Sequence, residues 1–135
     1  MKKSDAIHTD KKVLKELMWQ LNLLLLLSRA AYGKYMKNKI YLHALNIHKA
    51  NKAIYELLMQ KNYYLPYRFI TSVTELLNHY DIWFSQFKYH EVALNPRLED
   101  EFIFHQLDDQ SAFPKHAEKL LFEYFEKLHN KGDVK

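Results

Sequence analysis

The side chains best suited to chemistry in this chain of 135 residues are its eight histidines and sixteen Asp and Glu carboxylates, and their spacing decides what they can do together. A di-iron or di-manganese bundle site needs a Glu from each of two helices and a Glu-x-x-His pair from each of two more, all turned inward. Glu126-x-x-His129 supplies one such pair. Glu75 and His79 stand four apart and off the apolar stripe of their segment, and the first helical segment offers only Glu16. The ligand set is incomplete, so no metal is expected. His43 and His48 are five apart, which places them on different faces of a helix. His8, His105, His116 and His129 sit in contexts that read as exposed or terminal. His79, with Asp81 nearby, and His90, at a core position, are the two that burial could tune. A hydrogen-bonded structural role accounts for both.

Other catalytic designs fail on simple grounds. The arrangement of an Arg followed four to six residues later by a His, used by a helical nuclease superfamily, is absent: none of Arg29, Arg68 and Arg97 has a His at that distance. Glycine occurs only at positions 33 and 132, so no Gly-rich phosphate loop can form. With no cysteine there are no thiolate ligands, thiol nucleophiles or disulfides, which fits a reducing compartment such as the cytosol. The expectation is a protein without catalytic residues or cofactors.

Charge is the second source of chemistry. Residues 1–68 carry thirteen Lys and Arg against four Asp and Glu, a balance of +9, while the remainder carries seven against twelve, a balance of −5. Two halves packed side by side would neutralise each other on solvated faces; alternatively, the basic half meets an acidic partner. One basic stretch interleaves Tyr32, Lys34, Tyr35, Lys37, Lys39 and Tyr41. Cations for phosphates beside rings for bases is the composition of single-stranded nucleic-acid surfaces. Few arginines weaken that reading, because Arg is the side chain best shaped for phosphate and base edges. An adaptor surface is the preferred expectation, with Lys34, Lys37 and Lys39 meeting an acidic protein and Tyr35 and Tyr41 giving apolar contact.

The elements that position these residues follow from periodicity. Only two glycines and three prolines interrupt the chain, which favours long helices, and no alternating run is long enough for a sheet. The pattern predicts an all-α, single-domain, antiparallel four-helix bundle, with helices over about 10–36, 38–61, 66–94 and 114–130. Thr9 or Asp10 can cap the first helix, Gly33 and Asn38 can stop it, Pro66 suits the start of the third, and Asn130 and Gly132 can close the last. The first and third helices read as similar in length. A strap over 95–113, acidic at Glu99, Asp100, Glu101, Asp108 and Asp109, contains Phe102, Ile103 and Phe104, which are expected to cover one end of the bundle. Asn51 interrupts the stripe Ile40, Ala44, Ile47, Ile54, Leu58, as expected of a register device or a hydrogen bond to a neighbouring helix.

The leucine run is too short and too closely bracketed by Gln20, Asn22, Ser28 and Arg29 for a membrane span, so a soluble protein is expected. On a helix, Leu23 through Leu27 point in every direction. Leu14, Leu17, Leu21 and Leu24 serve the internal core, which leaves Trp19, Leu23, Leu26 and Ala30 on a neighbouring face. Pairing of this helix across a two-fold axis would cover them, so a homodimer is expected. The competing arrangement has the last helix and the strap cover that face within one chain.

Overall fold

The computed structural model describes the backbone of residues 3–103 and 113–134, and the side chains of 11–103 and 113–130. Four helices order the chain: α1 Lys3–Lys37, α2 Tyr41–Lys61, α3 Ile70–Leu94 and α4 Lys115–Val134. Short 3-10 turns at Asn62–Tyr64 and Tyr67–Phe69 join α2 to α3. Each helix packs against the next, and α4 closes back on α1, giving an antiparallel four-helix bundle. Among the described residues there is no strand, only a single antiparallel bridge between Ile40 and Glu101. None of their helices is long and apolar enough to cross a membrane.

The helix ends depart from the sequence expectation for local reasons. No Gly or Pro lies between Lys3 and Gln20, and α1 runs unbroken from Lys3, so Thr9 and Asp10 lie inside it rather than capping it. Gly33 stays helical; α1 ends where Asn38 N–H donates to the Lys34 carbonyl (3.1 Å). Pro66 precedes a 3-10 turn, and α3 begins only at Ile70. With 35 residues against 25, α1 and α3 are not matched in length. α4 continues through Asn130 and Gly132 to Val134. Asn95 ends α3 in the left-handed region (φ 45°, ψ 57°), a conformation its short polar side chain tolerates.

The core divides in two. Leu17 and Leu21 of α1, Ile54 and Leu58 of α2, Val73, Leu76 and Tyr80 of α3, and Ala117 and Leu121 of α4 form the larger part. Burying each leucine there contributes about 1.5–3 kcal/mol. The buried face of α1 also takes in Met18 and Leu25, which the Leu14-Leu17-Leu21-Leu24 stripe omits, because α4 packs on that flank. The smaller core, at the α1–α2 turn, comprises Tyr35, Ala44, Ile47, Phe87 and Phe102.

Phe102 reaches that core because the strap folds back over the turn. Arg97 N–H donates to the Asp100 carboxylate (2.8 Å) and Asp100 N–H to the Arg97 carbonyl (3.0 Å), which closes a tight turn. Beyond it, Tyr41 N–H donates to the Asp100 carbonyl (2.9 Å), Leu42 N–H to that of Leu98 (2.9 Å), and Phe102 N–H to that of Lys39 (2.8 Å). A helix start leaves its first amides without partners inside the helix. Ile40, at the cap position of α2, has no side-chain oxygen to offer, and for the amides of Tyr41 and Leu42 the strap's backbone carbonyls serve instead. This docking places the start of α2 at Tyr41 rather than 38. Phe102 therefore covers one bundle end as expected, whereas Ile103, pointing the other way along the extended strap, is exposed; Phe104, Asp108 and Asp109 lie outside the described residues.

Candidate interaction surface

At 100° per residue, Trp19, Leu23, Leu26, Leu27 and Ala30 occupy a sector of α1 roughly 100° wide on the side away from Leu17, Leu21 and Leu25. All five are exposed: Trp19 by 58%, Leu23 by 49%, Leu26 by 50% and Leu27 by 51%, with Ala30 open beside them. α4 reaches only the Trp19 end of the face. The indole lies 6.0 Å from the Phe125 ring and 5.7 Å from the His129 ring, and Phe122, itself 41% exposed, stands against Phe125. The apolar surface thus continues from α1 onto α4. Of the leucine run, Leu25 is buried, Leu24 is half-buried, and the other three remain on the outside.

The basic tip differs from its sequence reading in its rings. Lys34, Lys37 and Lys39 are exposed, but Tyr35 is buried and its hydroxyl donates to the Phe102 carbonyl (2.7 Å). Tyr41 is half-buried, stacked over Phe87 and tilted against Phe102, with its hydroxyl donating to the Glu91 carboxylate. Burial and that carboxylate push the Tyr41 phenol up to about 12. Neither ring lies beside the lysines as a contact surface; Trp83, Phe87 and Phe102 draw both into the smaller core. For Tyr35 the signal is present in the sequence, since the three-and-four spacing of Leu14, Leu17, Leu21 and Leu24 continues through Ser28 and Ala31 to Tyr35. Tyr32 remains outside, 53% exposed. The strap also brings Glu99, Asp100 and Glu101 to this end of the molecule, so the two halves of the charge asymmetry meet here.

Among the described residues, no three His, Asp or Glu side chains converge to hold a metal ion. His48 is sandwiched among rings, 4.7 Å from Phe87 and 5.9 Å from Trp83, and burial lowers its pKa. His79, expected off the stripe, is buried: Phe113, just before α4, meets its ring edge-on at 5.2 Å. Residues 113–118, with α1, α2 and α3, frame a cavity of about 700 Å3 that sequence reasoning missed. Its signal was a polar residue at a core position on each of two helices, Ser28 and Asn51; His79, off its stripe, gave none. Compared with known protein families, with characterised proteins and with solved structures, the chain matches none.

Proposed function

We propose that the chain is a small, non-enzymatic helical interaction protein of the cytosol that works as a homodimer paired through α1. The carrying observation is the exposed apolar face of Trp19, Leu23, Leu26, Leu27 and Ala30. The face complements itself. About a two-fold axis between Leu24 and Leu25, antiparallel copies of α1 set Trp19 against the partner's Ala30, a large residue against a small one, and Leu23 against the partner's Leu26. Glu16 then comes within reach of the partner's Lys34. Covering each half-exposed leucine contributes about 1 kcal/mol, and symmetry counts every contact twice.

The same pairing brings Lys12 beside the partner's Lys37, a like-charge contact at each end of the shared face that an acidic group would relieve, while Lys39 has Glu101 of the strap beside it. Those ends are where an acidic protein partner would dock, held by charge rather than by the inward-turned Tyr35 and Tyr41. Binding of single-stranded nucleic acid is disfavoured because those two rings are not offered for stacking.

Light scattering at tens of micromolar should return twice the 16.3 kDa chain mass. Leu23→Lys should return the single mass with an unchanged far-ultraviolet circular dichroism spectrum, because Leu23 is on the outside. A wild-type monomer at these concentrations would refute the reading.

A further inference from the structure

The cavity framed by α1, α2, α3 and the start of α4 carries more polar chemistry than a bundle core requires. Its volume, about 700 Å3, is of the size that holds a small organic molecule. Asn51 is 3% exposed, and its carbonyl oxygen accepts from the Ser28 hydroxyl (2.7 Å), so the amide N–H groups are the donors it has left. Tyr80, on the adjoining wall, is 1% exposed, and its hydroxyl has no hydrogen-bond partner among the described residues. A buried hydroxyl without a partner is costly, and Phe would fill the same space without that cost. Burial pushes the Tyr80 phenol up, with the Glu118 carboxylate adding to the effect, so the hydroxyl keeps its proton and can donate it. Glu118 lines the same cavity.

The rest of the lining sorts by depth. Trp83 and Phe113 give flat apolar walls, and His79 stands edge-on to Phe113 and to Tyr80. At the rim, Arg29 pairs with Glu118 while its own side chain stays 65% exposed, and Lys115 is exposed beside it. Two cations against one carboxylate leave the rim one positive charge in excess.

We propose that this cavity binds a planar aromatic carboxylic acid, its rings against Trp83 and Phe113, a ring oxygen on Tyr80 and Asn51, and its carboxylate toward Arg29 and Lys115. Donors at depth ask for an acceptor on the ring, and the rim asks for one negative charge. The site is independent of the exposed α1 face, so a monomeric protein can still bind and a dimer can fail to.

Calorimetric titration with 6-hydroxy-2-naphthoate, a probe carrying both features, tests the assignment. Saturable binding of one molecule per chain is expected. Tyr80→Phe should weaken it roughly three- to tenfold, the worth of one hydrogen bond, while leaving the melting temperature equal or higher. The uncharged amide of the same probe should bind more weakly than the acid. The proposal is overturned by no saturable binding up to about 1 mM probe, by Tyr80→Phe binding as tightly as wild type, or by the amide matching the acid.

Discussion

Ser28 and Asn51 show how one polar pair ties two helices together. The hydroxyl of one and the carbonyl of the other meet 2.7 Å apart between α1 and α2, with Asn51 buried. Removing the hydroxyl alone leaves a buried acceptor without its donor, whereas replacing both partners with apolar groups removes the mismatch. Ser28→Ala should therefore lower unfolding stability by about 1–2 kcal/mol, and adding Asn51→Leu should return much of it. Urea denaturation of the two single variants and the double variant measures this; additive losses would show that the two residues act separately. The role of Asn51 is legible in the sequence, because one amide in an otherwise apolar stripe needs a partner and a neighbouring helix is the nearest source. That of His79 is not. What buries it is Phe113, in a segment whose lack of periodicity leaves no clue to where it packs.

At the scale of elements, the strap completes α2. Phe102 is fully buried, and the carbonyls of Leu98 and Asp100 receive the opening amides of the helix. Phe102→Ala removes the side chain that anchors this docking, and deleting a buried phenylalanine costs about 3–5 kcal/mol. Urea denaturation should show a loss in that range; a loss under about 1 kcal/mol would mean that the strap rests on the bundle without stabilising it. The aromatics of the strap are readable as cover for a bundle end, since apolar rings in a polar connection must be buried somewhere. Its capping of α2 is not, because every residue carries a carbonyl and the match depends on where the backbone passes. The reversed roles of Tyr35 and Tyr41 have the same origin: a tyrosine beside lysines suits a surface or a core equally well, and the choice is made by Phe87 and Phe102 closing over it.

For the whole molecule, the number and order of helices follow from sparse breakers at Asn38, Asn62–Pro66 and Asn95–Pro96, and the uncovered face of α1 from five leucines that cannot share one side. Whether a second copy covers that face can be read from stability as well as mass. A dimer that dissociates on unfolding melts at a temperature that rises with protein concentration, by mass action. Wild type should show that rise across a hundredfold dilution series and Leu23→Lys should not; a flat wild-type series would place the unfolding unit at one chain. The docking of the strap on α2 also orders events in time. α1 and α2 are adjacent and can pair as soon as both leave the ribosome, yet Leu42 waits for a carbonyl in a segment that closes only at Phe102, about 60 residues on. Counted from the completion of α2 at Lys61, about 40 residues remain to Phe102, so at about 5–20 residues synthesised per second the nascent hairpin spends roughly 2–8 seconds with its second helix unsealed at the front and Tyr35 and Tyr41 still facing water. Through that interval the two rings are open to capture by a chaperone.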